Sequence, residues 1–384
     1  MADDMKTTGP LLGVRVLELS GIGPGPFAAS ILGDLGADVV RIDRPGGSTT
    51  GIPEELDALR RSRRSAALDL RDPVGVDALM TMVESADVLI EGYRPGVAER
   101  LGFGPEACAT RNPRLVYGRI TGWGQDGPLA QTAGHDINYL AITGALHAMG
   151  REGEGPAIPL NLVGDFGGGS LYLVVGILSA LLERERSGVG QVVDAAIVDG
   201  VTHLTTLFHG LMAAGVWQDR RGVNMLDSGV PWYDTYRTAD ARHVAVGAVE
   251  PAFYAELMTT LGLDPDPRRR IDPGQWPRIR DELTAAFAAS PLQTWIDTFA
   301  GTDACVAPVL SFSEAIETPQ LRERGVFVDV GGLAMPGPAP RLSRTPGSVQ
   351  SAPVPFAAHT RAVLAEYGVP NIDDLFQAGT AIQG

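Results

Sequence analysis

Val14-Arg15-Val16-Leu17-Glu18-Leu19, then Gly21-Ile22-Gly23-Pro24-Gly25-Pro26, then Phe27 to Leu35, then Ala37-Asp38-Val39-Val40-Arg41-Ile42 closed by Asp43: this run decides the fold class. The first and last segments have strand composition, the glycine-proline cluster is a turn, and Phe27 to Leu35 reads as a helix. Strand, helix, strand is a βαβ start. It does not make a nicotinamide site. That fingerprint needs G-x-G-x-x-G, whereas here Pro24 and Pro26 remove amides that a pyrophosphate would need. A helix at Val74 to Val83 and strands at Asp87 to Ile90 and Leu115 to Ile120 continue the alternation, so a largely parallel sheet with helices on both faces is expected. Ligands of such sheets bind beyond the carboxyl ends of the strands, where the turns at Gly21, Tyr93 and Gly122 fall.

The 384 residues suffice for two domains. Leu171 to Leu182 is an apolar core helix, Gln191 to Val198 a strand, and Asp199 to about Val223 apolar and helical. The grammar then changes. Trp232 to Arg237 and His243 to Val249 read as a hairpin, followed by helices at Ala252 to Leu261, Trp276 to Ala288 and Leu292 to Phe299 and a strand at Ala304 to Val309. The expected layout is a large α/β domain over 1–198, a linker helix over 199–224, a small α+β domain over 225–324 and a return segment over 325–384. Within the last, Met335 to Pro355 is expected as an extended surface tail and Thr360 to Tyr367 as a final helix.

A net charge of −15 argues against nucleic acid as a partner. Lys6 is the sole lysine, so phosphate contacts would be forked guanidinium contacts. Arg60-Arg61-Ser62-Arg63-Arg64, with Arg41, Arg44 and Arg71 nearby, is a phosphate-recognition candidate weighed slightly above a solvated charged face. Cys108 and Cys305 lie far apart and imply neither a disulfide framework nor a metal site. The acidic start Met1 to Lys6 is unlike a secretory leader, and the run Leu171 to Leu182 is too short to span a bilayer. A cytoplasmic protein without a membrane partner is expected.

The chemistry is expected between Gly134-His135-Asp136-Ile137-Asn138-Tyr139 and Asn161-Leu162-Val163-Gly164-Asp165-Phe166-Gly167-Gly168-Gly169-Ser170. The first offers an imidazole in a loop. The second puts a carboxylate on a glycine-rich turn whose backbone can approach a ligand closely. His203, His209 and His243 sit in apolar or strand contexts and read as structural. Asp165 would serve equally as a helix N-cap, and Glu250, in Val249-Glu250-Pro251, as a helix-start charge. Taken alone, these residues give a site with acid–base potential and no particular reaction.

These motifs, with Gly36-Ala37-Asp38-Val39-Val40-Arg41-Ile42-Asp43-Arg44-Pro45 and Gly247-Ala248-Val249-Glu250-Pro251, make the chain from Leu11 to about Tyr367 resemble the α-methylacyl-CoA racemases of the class III CoA-transferase superfamily. The superfamily's transferases look similar but lack the histidine at the position of His135. The resemblance implies an α/β fold with a Rossmann-like parallel sheet, a smaller α+β domain and an interlocked homodimer. It implies racemisation of 2-methylacyl-CoA thioesters in lipid metabolism, with His135 and Asp165 as the two bases and Glu250 orienting His135. Coenzyme A, part of the substrate and not a cofactor, is expected along the sheet's carboxyl edge at Ile22, Arg44, Leu68, Arg71, Tyr93 and Arg100; no metal and no other cofactor is expected. Amides of the turn beginning at Asp165 would hold the enolate oxygen. Trp217, Met225, Leu226 and Trp232 offer an apolar surface. Two alternatives are CoA transfer with Asp165 as nucleophile and acyl-CoA binding without catalysis.

Overall fold

The computed structural model describes residues 8–47 and 51–384; the start Met1 to Lys6 lies outside the described residues. The chain runs β1 (Arg15–Leu19), α1 (Pro24–Asp34), β2 (Asp38–Asp43), β3 (Arg64–Leu68), α2 (Pro73–Val83), β4 (Val88–Glu91), α3 (Val97–Leu101), α4 (Pro105–Arg111), β5 (Val116–Thr121), α5 (Asp136–Ile142) and α6 (Ala145–Ala148). A π-helical segment, Leu162–Ser170, leads into α7 (Leu171–Ser187), β6 (Val192–Ala196), α8 (Ile197–Leu204) and α9 (Thr206–Ala213). Then come β7 (Tyr233–Arg237), β8 (His243–Gly247), α10 (Pro251–Thr260), α11 (Trp276–Ala288), α12 (Leu292–Phe299), β9 (Val306–Pro308), β10 (Phe327–Val330), β11 (Leu333–Pro336) and β12 (Ala381–Ile382).

Seven strands form one sheet in the order β12-β3-β2-β1-β4-β5-β6, parallel except for β12. Successive strand residues alternate between two apolar layers. Leu17, Val40, Leu89 and Tyr117 pack with α2 on one face, and Val16, Val39, Val88 and Val116 pack with α1 and α7 on the other. Both faces are therefore dry, as parallel sheets require.

Several expectations change. First, α1 begins inside the expected turn: Pro24 takes the first helical position, where a missing amide costs nothing. Second, the glycine-rich turn is the π-helical segment, and its glycines serve close packing. A Cβ on Gly168 would lie 2.6 Å from a Val201 methyl carbon, and one on Gly200 would lie 1.9 Å from the Gly168 carbonyl oxygen. With this segment, Leu162–Ser187 is one continuous helix, long and apolar enough by length and composition to cross a membrane. Its inner face, from Leu173 to Arg184, is buried, while Leu171, Val175 and Leu182 are exposed.

Third, the arginine run is not a solvated face, and its guanidinium groups are already engaged within the chain. It enters β3, and its side chains are paired: Arg60 with Asp43, Arg61 with Asp34, Arg63 with Glu18, and Arg64 with Asp38 and Glu366. Arg41 joins Glu18 and Asp43, each at 2.8 Å. Buried guanidinium groups need such carboxylates, because an unpaired charge cannot be held out of water cheaply.

Fourth, the chain divides differently. One compact unit extends to Thr143 and adds Pro159–Leu204 and Pro319–Gly384; the other comprises Gly144–Ile158 and Thr205–Thr318. Residues 144–158 therefore leave the expected large domain. The expected linker is two helices, α8 and α9, assigned to different units, since Thr205 interrupts them. The smaller unit is an antiparallel sheet, β7-β8-β9, packed with α10, α11 and α12 through Tyr236, Val244, Tyr254, Leu283 and Phe287. Trp232 belongs to this core, not to an apolar surface: it is 4% exposed and makes edge contacts with Tyr254 and Trp276. The expected surface tail also starts differently, as Met335 pairs with Val328 in the β10–β11 hairpin.

Candidate active site

The carboxyl ends of β1, β4 and β5 open into a cavity of about 480 Å³ lined by Gly23, Glu91, Gly122, His135, Tyr139 and Asp165 among others. His135 enters at the N-cap of α5, with extended backbone, and its amide donates to the Asn138 Oδ1 at 3.0 Å. The loop before it is pinned by Tyr139, whose hydroxyl donates to the Gly134 carbonyl at 2.5 Å. That ring stands edge-on to Trp123 and lies so close to Gly122 that a Cβ there would be 2.0 Å from the ring. Tyr139 thus ties the end of β5 to the approach to His135.

Asp165 comes from the π-helical segment and is half-buried. Across the cavity Gly23, at a φ of 71°, leaves it room: a Cβ would sit 3.2 Å from the Asp165 Oδ2. Burial first, and the Asp136 charge second, push the Asp165 carboxyl up to about 6, against the opposing Asn161 hydrogen bond and His135 charge. A carboxyl of that affinity exchanges protons near neutral pH. The amides expected to hold an enolate are not all available. That of Asp165 donates to the Asp136 Oδ1 at 2.6 Å, and that of Phe166 to the Asn161 carbonyl at 3.2 Å.

Of the other expected site residues, Ile22 lines the same cavity and is 63% exposed. Arg44, Leu68, Arg71 and Tyr93 line a neighbouring cavity of about 430 Å³ at the carboxyl ends of β2 and β3. Ser20 and Tyr93 border it there, while Leu19, Glu91 and Gly92 border the first, so the two adjoin along one sheet edge. Arg71 is held by Asp69 at 2.9 Å. Arg100 is exposed on α3, beside Leu101 of that second cavity. Glu250 occupies the N-cap position of α10 in the smaller unit without a side-chain capping bond, exposed and in the electrostatic reach of Arg270 and Cys305. Trp217 and Leu226 line a separate, mostly apolar cavity of about 1090 Å³ inside that unit.

A family model described as CoA-transferase family III matches residues 11–360. The chain belongs to that family. It is 46% identical over 361 residues to the alpha-methylacyl-CoA racemase of Mus musculus and 44% identical over 365 residues to that of Homo sapiens, covering 93% of both chains in each case. Among solved structures, a CAIB/BAIF family protein from Brucella suis superposes with a TM-score of 0.81 at 26% identity, over 94% of this chain and all of that one. The mixed α/β architecture with its large parallel core is thus the family's own.

Sequence reasoning in this family member overlooked Asp136, Tyr139 and Gly23. Tyr139 lies in the Gly134–Tyr139 motif, but its contact with Gly122, seventeen positions upstream, leaves no periodic signal. Gly23 reads in the sequence as part of a glycine-proline turn and of the family motif, with no role of its own. Its positive φ and its neighbour Asp165 emerge only when the chain is folded.

Proposed function

We propose that the protein is a racemase of 2-methylacyl-CoA thioesters working through two bases. The observation that carries this is a single cavity lined by an imidazole and by a carboxyl pushed up to about 6, His135 and Asp165; the similarity to two racemases supports the substrate class. Asp165 as carboxylate removes the α-proton from one face of the substrate, and the released electron pair moves into the thioester carbonyl. His135 as imidazolium then delivers a proton to the other face, and the carbonyl re-forms. The opposite epimer runs the same steps with the roles exchanged. The enolate oxygen needs preorganised donors. First-turn amides of α5, at Asp136 and Ile137, supply them beside His135, since the Asp165 amide is already used.

The coenzyme A portion follows the sheet edge past Ile22, Arg44, Leu68, Arg71, Tyr93 and Arg100. The sequence resemblance supports Glu250 as the group orienting His135, an interlocked homodimer, and a cytoplasmic enzyme active without added metal or redox cofactor. Sedimentation, and loss of turnover in Glu250→Gln, test the first two of these. Incubating one epimer in deuterated water is expected to load deuterium at the α-carbon and erode optical purity. Acyl-CoA binding without exchange rejects the proposal. His135→Ala and Asp165→Ala are each expected to lower turnover by about 100-fold or more.

The family's transferases favour a second reading, attack of Asp165 on the thioester with CoA passing to an acceptor acid. Acceptor-dependent turnover with a trapped covalent adduct on Asp165 would establish it.

A further inference from the structure

Asp136 follows His135 directly, yet its side chain serves the opposite base. Its Oδ1 accepts the Asp165 amide at 2.6 Å, and the Gly164 amide bonds to the same carboxyl. Glycine at 164 is what admits it: a Cβ there would lie 2.2 Å from that oxygen. Asp136 is 9% exposed, and among the described residues no donor reaches its buried Oδ2. A charge favoured at a helix start has no need of burial. Burying a carboxylate costs stability, so packing alone does not account for an acid at this position.

We infer that Asp136 is a positioning residue, clamping the π-helical segment that carries Asp165 to the start of α5 that carries His135, so that the two bases keep a set separation across the substrate's α-carbon. The inference rests on the racemase reading for its catalytic consequence, though not for the clamp itself. Electrostatics add to the geometry, because the Asp136 charge is the second cause, after burial, of the raised proton affinity of Asp165. The groups acting on Asp165 are Asp136 and His135 at the start of α5 and Asn161 just before its own segment; Tyr139, itself near Arg94, and Glu91 line the same cavity. From α1 the neighbour is the uncharged Phe27 ring on Phe166, 4.3 Å away. On α8 the titratable groups are Asp199 and His203, the latter held by Tyr172 at 2.7 Å.

Full-length Asp136→Ala and Asp136→Asn separate clamp from charge. In Asp136→Ala the amide hydrogen exchange of Leu162–Ser170 is expected to quicken, and α-proton exchange to lose about 100-fold in kcat with KM nearly unchanged, as for a base moved by about 1 Å. Asp136→Asn keeps an acceptor oxygen but no charge. It is expected to retain more of the plateau rate and to shift the acid limb of kcat/KM to lower pH. Unchanged amide exchange in Asp136→Ala overturns the clamp, and an acid limb unmoved in Asp136→Asn overturns its electrostatic part. A wild-type enzyme without α-proton exchange rejects the racemase reading instead, and the amide-exchange measurement still decides the clamp.

Discussion

Lowering the pH through about 6 should switch Asp165 off as a base. Its carboxyl is pushed from 3.8 to about 6 by burial and by Asp136. The sign follows directly: a raised affinity keeps the proton on to higher pH, so activity is lost as pH falls. At pH 5 a carboxyl of ordinary affinity would remain more than about 90% ionised, whereas one titrating near 6 is only about 10% ionised. The rate expected at pH 5 is therefore about a tenth of the plateau. Both epimers should show the same limb. Each direction needs one of the two bases free of its proton while the other donates, so protonating Asp165 while His135 keeps its proton stops both. The assay is deuterium incorporation into each epimer, read by mass spectrometry as kcat/KM from about pH 5 to about pH 8, with circular dichroism as a check on folding. A rate flat down to pH 5 in folded enzyme, or acid limbs that differ between epimers, would refute the reasoning.

Three further outcomes are expected. Glu18→Gln leaves the buried Arg41 and Arg63 without their shared carboxylate, which should cost about 3–5 kcal/mol in chemical denaturation; an unchanged midpoint would show that the network is dispensable. Gly200→Ala drives a methyl group to 1.9 Å from the Gly168 carbonyl oxygen, so a loss of about 1–3 kcal/mol with slower α-proton exchange is expected; full activity and an unchanged melting temperature would contradict it. Arg44→Ala alters the second cavity but not the first. It should raise KM for acyl-CoA about 10-fold, as for one lost charge-assisted hydrogen bond, and spare kcat; a fall in kcat at constant KM would place coenzyme A elsewhere.

Legibility followed the range of the physical signal. Helices 276–288 and 292–299 were readable to the residue, because an amphipathic stripe against one sheet is a local pattern. The parallel core was readable for the same reason, since strands dry on both faces are rich in aliphatic residues. β3 was hidden: its arginines look like a solvent or phosphate surface until Glu18, Asp34, Asp38 and Asp43 arrive from other elements to neutralise them. The glycines at 167–169 suggested an open turn, whereas they are small because α8 packs against them.

Residue order alone settled the βαβ alternation, the placing of turns at the carboxyl edge, and the presence of an imidazole and a carboxyl in glycine-rich motifs. These depend on periodicity and on the intrinsic geometry of glycine and proline. Tertiary structure decided that His135 and Asp165 line one cavity, that Asp136 accepts the amide of the second base from beside the first, and that the Asp165 carboxyl is pushed up to about 6. Those properties arise from burial and from charges brought together across the chain, and no local pattern encodes either.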